Sequence, residues 1–419
     1  MPLFEPPASG SEVRSWGAVA VWTVSIFAAI PLARSMETWV REHLGQAAFG
    51  WFVLGVLALA TLATGWAVAR TARSRTQGGS LVWLIGVAAA FAASTMSLWS
   101  NPEEAMHFVQ YGVLAVLLFR ACAHRFVDHS VYVVAGLLGV AVGCLDEAIQ
   151  WLTPMRYFGV RDIGLNAYAS GLVQLAIAKG IAPSWVETGM GRRGRRAAVR
   201  TVATIGLLLF VFSLNTPPRV DAYARRIPGL AFLVDNPSTM IEYGHRYADP
   251  AIGVFRSRLS PGELAEHDAR YGEAAGTAVA SWDESKGGYS GFLALYSAQR
   301  DPYVHEFRVH LFRRDAHRVY FGRSKGEAAR REHATVVLRE DLILDGYFGT
   351  ALAYCDCELG PHERAELEAR ASTTSSYDSP VGGDLVSGFR EWQLLLVFGA
   401  GFIGLLVLDR RLRAAEPRG

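Results

Sequence analysis

The chain has 419 residues, 51% of them hydrophobic, with a formal net charge of +2 at pH 7. This length leaves room for two or three domains, and the apolar composition favours insertion into a membrane. The basic residues are not interleaved with aromatic ones, which argues against nucleic acid as a partner.

Eight apolar runs predict a polytopic α-helical membrane protein with about eight transmembrane helices. They are residues 16–31, 47–68, 81–99, 108–119, 131–145, 163–181, 202–214 and 392–408. The first run lacks the basic start and small-residue cleavage site of a signal peptide, so we expect it to remain as a span. Arginines cluster in alternate loops, which by the positive-inside rule predicts that both termini are cytoplasmic and that the protein lies in the cytoplasmic (inner) membrane.

The distribution of charge and of apolar residues divides the chain into segments. They are a six-helix membrane domain at 1–182, a basic cytoplasmic loop at 183–200, a transmembrane helix at 201–215, an extracytoplasmic α+β domain at 216–371, a flexible linker at 372–388, a C-terminal transmembrane helix at 389–408 and a cytoplasmic tail at 409–419. The outer domain thus lies between the last two spans.

Three patterns predict the elements of the outer domain. Ser260 followed by Glu263 has the spacing of a capping box, which predicts a helix start. Residues 305–323 alternate apolar and polar side chains around a central polar turn, which predicts a β-hairpin. Residues 327–341 and 360–371 are predicted to be helical, and the Ser, Thr, Pro and Gly content of 372–388 argues against packed structure.

The four cysteines are too few for a disulfide scaffold. Cys355 and Cys357 flank a single aspartate, and a lone C-x-C lacks the other ligands of a zinc site. A disulfide across so short a separation would be strained. This pair is therefore a weak signal for a metal or redox role.

Polar and charged side chains gather in three stretches at the ends of the fourth, fifth and sixth spans. The stretches are 101–107, 143–156 and 161–166. Under the predicted topology all three lie near the outer leaflet. Ionisable groups in or beside hydrocarbon are costly, so their convergence predicts a functional site.

Helical spacing brings some of these groups onto common faces. Glu103 and Glu104 precede His107 by four and three residues, so that either carboxylate can reach the imidazole. Two further pairs share the four-residue spacing, Asp146 with Gln150 and Asp162 with Asn166. Glu147 is displaced to the side of its helix.

Four interpretations of the site are open. In the first interpretation, the polar helix ends are merely solvated and hold neighbouring helices together. In the second, clustered carboxylates and a histidine perform general acid–base chemistry. A divalent metal is held by Glu103, Glu104, His107, Asp146 and Glu147, although the chain has one E-x-x-H motif where carboxylate-bridged metal bundles have two. Lastly, Arg156 and Arg161 hold the phosphate of a lipid headgroup, with help from a helix N-terminus.

The same residues resemble a known family. The pattern P-E-E-x-x-H-F-x-x-Y-x-x-L at 102–114, then G-x-x-D-E-x-x-Q-x-x-x-P-x-R at 143–156, then D-x-x-x-N at 162–166 is similar to the signature of VanZ-like membrane proteins. The chain has Ala169 where that family tends to have glycine, and Glu104 where lysine is frequent. The resemblance covers residues 101–171 and implies a bacterial cell-envelope membrane protein, in a family whose type member is associated with lowered sensitivity to the glycopeptide teicoplanin (antibiotic resistance).

Two functional hypotheses follow. In the first, the polar outer-leaflet pocket binds or processes a lipid-linked or phosphate-bearing envelope molecule. Asp146 or Glu147 would act as base with His107 as proton partner, and the substrate would be bound by Glu103, Glu104, Gln150, Arg156, Arg161, Asp162 and Asn166. In the second, the protein is a non-catalytic membrane scaffold whose outer domain binds a protein or cell-wall partner. The expected partners are the lipid bilayer and a lipid-linked envelope precursor or a glycopeptide, no nucleic acid and no metal are expected, and the cofactor is unknown. A transporter is a weaker third hypothesis, because the polar groups gather at one side of the membrane.

Overall fold

The computed structural model describes residues 4–8, 10–45, 47–71, 77–99, 104–154, 156–234, 239–372 and 376–414. The described chain is mostly helical and divides into two compact units. Unit 1 comprises Met1–Phe212 with Leu395–Gly419, and unit 2 comprises Ser213–Leu394.

The helices of the first unit are long and apolar. They are α1 (Glu12–Ala29), α2 (Ala33–Leu44), α3 (Ala48–Thr71), α4 (Gln77–Ser97), α5 (Met106–Cys122), α6 (Ser130–Trp151), α7 (Val160–Leu175), α8 (Arg192–Ser213) and α16 (Glu391–Ala414), the last two running from one unit into the other. A π-helical segment, Ala176–Ile181, continues α7.

Five of the described helices, α3, α4, α6, α8 and α16, are long and apolar enough to cross a membrane. The pair α1 and α2, bent by 70°, raises the number to six if it forms one broken span, and α5 is a shorter apolar helix. The prediction of a membrane-embedded helical protein agrees with this finding. The predicted number of eight spans is higher than these helices alone establish.

The helix α2 is an element that the apolar runs do not predict. Its exposed side chains are mixed: Met36 and Trp39 are apolar, whereas Arg34 and Arg41 are charged. A short amphipathic helix after a sharp bend is typical of a segment that lies in the membrane interface. It also supplies one wall of the cavity described below.

Helices α5, α6 and α7 pack against one another and form the centre of the first unit. Glycines on α6 let α7 approach closely, because a Cβ at Gly143 would lie 3.0 Å from the Cβ of Asn166 and one at Gly139 would lie 2.5 Å from Ser170 Oγ. Small residues at such a contact are the usual means of bringing membrane helices together. This contact fixes the ends of α6 and α7 relative to each other.

The second unit is also mainly helical, with one small sheet. Its elements are α9 (Pro217–Ala224), β1 (His245–Asp249), β2 (Gly253–Ser257), α10 (Pro261–Ala280), α11 (Gly288–Leu295), α12 (Pro302–Arg323), α13 (Glu327–Tyr347), α14 (Gly349–Tyr354) and α15 (Pro361–Glu368). The strands are antiparallel, with Tyr247 opposite Phe255. The capping box of Ser260 and Glu263 is present at the start of α10, as predicted.

The predicted β-hairpin at 305–323 is wrong, because these residues belong to the single helix α12. The buried positions of α12 recur at helical spacing, but three of them are the polar residues Glu306, His310 and Arg314. Apolar patterning alone therefore misses the helical period. The predicted α+β class of this unit is not confirmed, since its described strands are limited to β1 and β2.

The segment 372–388 differs from the predicted flexible linker wherever it is described. The amide of Val254 donates to the carbonyl of Tyr377, and the amide of Ser379 donates to the carbonyl of Val254, so this segment runs along β2. Ser379 and Leu385 are buried. The polar composition of this stretch reflects hydrogen bonds to the rest of the unit.

Cys355 and Cys357 form a disulfide, with their Cα atoms 5.2 Å apart. Cys122 and Cys144 are free and buried.

Candidate functional site

A half-open cavity of about 320 Å³ lies in the first unit, where α5 begins and α6 ends. Of the ten residues predicted for the site, six line this cavity. They are Glu104, His107, Asp146, Gln150, Arg156 and Asp162. Residues that are separated by more than fifty positions in the chain are thus brought together by the packing of α5, α6 and α7.

Another part of the lining comes from helices that the sequence did not connect with the site. Ile26, Ala29 and Ile30 at the end of α1 make it apolar, and Arg34 and Glu37 of α2 bring charge to its rim. The cavity is therefore amphipathic: the polar side chains near the ends of α5 and α6 form what we call its polar floor, and Ile26, Ala29 and Ile30 form its apolar wall.

Asp146 lies at the floor of the cavity and is only 2% exposed. The hydroxyl of Tyr111, a fully buried side chain on α5, donates to Asp146 Oδ2 at 3.0 Å. Asp146 Oδ1 is buried and has no hydrogen-bond partner within the described chain. The bond from Tyr111 fixes the carboxyl group, whose second oxygen has no hydrogen-bond partner among the described residues.

Glu147, the next residue, is fully buried but does not line the cavity. Its Oε1 accepts from Gln150 Nε2 at 2.9 Å, and its Oε2 accepts from the amide of Gly159 at 2.8 Å. Both of its oxygens are therefore engaged: Oε1 within α6, and Oε2 in tying α6 to the loop that precedes α7. Of the two candidate bases, Asp146 is the one placed to meet a ligand.

Position 159 requires a residue without a side chain. A Cβ there would lie 2.9 Å from Asp162 Oδ2 and 3.5 Å from Glu147 Oε2. The close approach of the loop to Glu147 depends on this glycine.

Arg156 connects this buried network to the cavity. Its Nη2 donates to Gln150 Oε1 at 2.5 Å, which orients the amide of Gln150 towards Glu147. Arg156 Nε is buried and has no partner among the described residues, and the same is true of His107 Nδ1. Three buried polar atoms, from α5, α6 and the loop before α7, thus belong to side chains that line one cavity.

The remaining predicted residues lie elsewhere. Arg161 is 63% exposed and pairs with Glu104 across 3.1 Å, at the edge of the site. Asn166 is fully buried against Gly143 and does not line the cavity. Glu103 lies outside the described residues.

No group of three or more histidine, cysteine, aspartate or glutamate side chains within the described part of the chain is arranged to hold a metal ion. The described lining carries four acidic side chains and two arginines. Such a site can orient a polar group by hydrogen bonds and can move a proton, because Asp146 and His107 both face it.

Comparisons of the chain with protein-family models, with curated proteins and with solved structures found no match. The fold and the cavity therefore define a class of protein only: a mostly helical protein with membrane-length apolar helices and an amphipathic cavity. The similarity of the three motifs to the VanZ-like family remains a resemblance.

Proposed function

We propose that this protein is a VanZ-like membrane protein of the cell envelope whose cavity binds or processes a lipid-linked or phosphate-bearing envelope molecule. The observation that carries the proposal is the meeting of six predicted site residues in one cavity that also has an apolar wall. A pocket with a few convergent polar groups and an apolar side is the usual form of a small-molecule site.

The three motifs behind the family resemblance support the same proposal. His107 of the first motif, Asp146 and Arg156 of the second and Asp162 of the third all line the cavity. Tyr111, also part of the first motif, donates to Asp146. By the resemblance, we extend the proposal to an influence on sensitivity to teicoplanin.

The membrane arrangement that we propose has eight spans, both termini in the cytoplasm and the second unit outside the cytoplasmic membrane. Besides the five long helices, α1 with α2, α5, and α7 with its π-helical continuation would supply the other three spans. The arginine-rich start of α8 favours a cytoplasmic position for that end. The disulfide of unit 2 favours an oxidising compartment for that unit.

Within the cavity, Asp146 would accept a proton or a hydrogen bond from the ligand, and His107 would exchange a proton with it. Arg156 would hold an anionic group. Glu147 would act indirectly, by positioning Gln150 and the loop at Gly159.

The test compares lipid-linked envelope intermediates by mass spectrometry in cells that carry wild type, Asp146→Asn or no protein, at matched membrane levels. We expect one species to accumulate both in the Asp146→Asn cells and in the null cells, because the neutral amide cannot replace the carboxylate. Asp345→Asn serves as the matched control, since Asp345 is an exposed residue of unit 2. Identical lipid profiles in the wild-type and Asp146→Asn cells would refute a role of this cavity in processing.

The alternative is a non-catalytic scaffold that displays unit 2 as a binding domain. The buried Glu147 favours it, because its carboxylate binds the amide of Gly159 and does not line the cavity. Under this alternative, deletion of residues 220–382 abolishes function, whereas Asp146→Asn leaves function intact.

A further inference from the structure

The unpartnered atoms of the cavity indicate what its ligand must carry, an inference that rests on the proposed function. Asp146 Oδ1 and Arg156 Nε are both buried and lack partners among the described residues. A carboxylate oxygen accepts hydrogen bonds, and a guanidinium nitrogen only donates them. Each atom therefore requires the opposite kind of group on the ligand.

Leaving such atoms unpaired is costly, because a buried polar group without a partner forfeits its hydration. Only 2% of Asp146 is exposed, and the hydroxyl of Tyr111 already donates to its other oxygen. The hydrogen bond from Tyr111 therefore fixes the orientation of the whole carboxyl group, including its unpartnered oxygen. A ligand with a donor at this position would satisfy it.

The charge of the lining points the same way. Two of the acidic side chains of the lining, Glu37 and Glu104, are paired with Arg41 and Arg161, which leaves Asp146 and Asp162 beside Arg34 and Arg156. The site therefore offers both signs of charge: Arg156 favours a phosphate oxygen, and Asp146 favours a donor or a cation beside it. A phosphate that stands beside a hydroxyl or an ammonium group meets both requirements.

The apolar wall indicates where the rest of the ligand lies. Ile26, Ala29 and Ile30 line the cavity at the end of α1, just before the chain bends by 70° into α2. A hydrocarbon chain packed along this wall would leave its polar head against Asp146 and Arg156. The cavity is thus shaped for an amphiphile and not for free phosphate.

We propose that the ligand is a lipid whose head group combines a phosphate with a hydrogen-bond donor, a hydroxyl or an ammonium. The phosphate accepts from Arg156, and the donor binds Asp146. Phosphatidylglycerol and phosphatidylethanolamine have this chemistry, whereas phosphatidylcholine has the phosphate without a donor.

The test is a competition measured by native mass spectrometry on the full-length protein in detergent. Phosphatidylglycerol, phosphatidylethanolamine and phosphatidylcholine with identical acyl chains are added at equal concentration. We expect the first two to be bound about tenfold more than phosphatidylcholine, as one hydrogen bond to a charged group would give. Glycerol 1-phosphate, which has no hydrocarbon chain, should not compete with them.

Variants separate the two contacts. Asp146→Asn should reduce the preference over phosphatidylcholine to about twofold or less. Arg156→Gln should weaken all three lipids alike, and Arg14→Gln, at an exposed position of α1, should change nothing. If Asp146→Asn does not fold, the wild-type competition still decides, because it compares lipids and not proteins.

Three outcomes would each contradict a different part of the proposal. Equal binding of all three lipids that still depends on Arg156 would overturn this inference and leave the proposed function standing. Lipid binding that neither Asp146→Asn nor Arg156→Gln alters would overturn both, because it would lie outside the cavity. Competition by glycerol 1-phosphate equal to that of the lipids would refute the role of the apolar wall.

Discussion

At the scale of single residues, Glu340 on α13 shows how the second unit is held together. This fully buried carboxylate accepts from His310 Nδ1 at 2.6 Å, from Arg313 Nε at 3.1 Å and from Ser379 Oγ at 2.7 Å. The hydroxyl of Tyr377 donates to it as well. One side chain thus connects α12, α13 and the segment that precedes α16.

We expect Glu340→Gln to destabilise the second unit by about 3 kcal/mol, because it breaks a buried charged network by removing one partner. Hydrogen exchange of the α12 and α13 peptides, followed by mass spectrometry on the full-length protein, measures the free energy of opening. The control is Glu366→Gln, whose partly exposed ion pair with Arg370 should contribute less than about 1 kcal/mol. Equal effects of the two variants would contradict the role given to Glu340.

The same residue predicts a dependence of stability on pH. Burial alone would raise the pKa of the Glu340 carboxyl, but the facing His310 and the hydroxyls of Tyr377 and Ser379 hold that pKa below its usual value. A carboxyl whose pKa is lower in the folded protein stabilises it fully above the unfolded pKa of about 4.3 and loses this contribution as the pH falls. The difference in free energy of unfolding between wild type and Glu340→Gln should therefore shrink as the pH falls from about 6 to about 3. The same exchange experiment measures it. A difference that stays constant would show that Glu340 is not the titrating group.

At the scale of elements, the contact between α6 and α7 positions the polar floor of the cavity. We expect Gly143→Leu to separate these helices, because even a Cβ at this position would lie 3.0 Å from the Cβ of Asn166. Overpacking of this kind costs about 1–3 kcal/mol. The melting temperature of the purified protein in detergent should fall, and lipid binding should fall with it.

Gly164→Leu is the matched control for this prediction. Gly164 lies on α7 with nothing within 4 Å of a Cβ, so a leucine there meets open space. Similar losses for Gly143→Leu and Gly164→Leu would show that the contact is not specific.

The helix α12 shows why part of the fold could not be predicted from the sequence. A core-facing helix is usually recognised by apolar residues at a spacing of 3.6. In α12 the buried face includes Glu306, His310 and Arg314, whose partners lie in β2, α13 and the loop after α14. Only the tertiary structure reveals that these charged residues belong to the core.

The floor of the cavity, by contrast, follows from local patterns. Asp146 and Gln150 share a helix face at the predicted spacing, and both line the cavity. The wall from α1 and α2 could not be predicted, because nothing in residues 26–37 marks them as neighbours of residues 104–162. Nor does helical spacing reveal that Glu147 accepts a hydrogen bond from the amide of Gly159.

At the scale of the whole molecule, the proposed topology places the start of α8 and unit 2 on opposite sides of the membrane. We expect Asp345→Cys, in unit 2, to react with a membrane-impermeant maleimide in intact spheroplasts, and Arg193→Cys to react only after permeabilisation. Both positions are exposed. The wild-type background should be low, because Cys122 and Cys144 are buried and the other two cysteines form a disulfide. Labelling of both positions in intact spheroplasts would contradict the topology.

If the cavity of unit 1 holds a phosphate-bearing amphiphile, as we propose, that lipid should co-purify with the protein. The protein should be isolated from its own membrane in mild detergent, and native mass spectrometry should compare wild type, Asp146→Asn and Asp345→Asn. We predict that one phosphate-containing lipid remains bound to wild type and Asp345→Asn and is bound about tenfold less by Asp146→Asn, which lacks one charged hydrogen-bond partner. If the three proteins carry the same lipids in the same amounts, Asp146 does not bind the ligand and the cavity is not the lipid site proposed here.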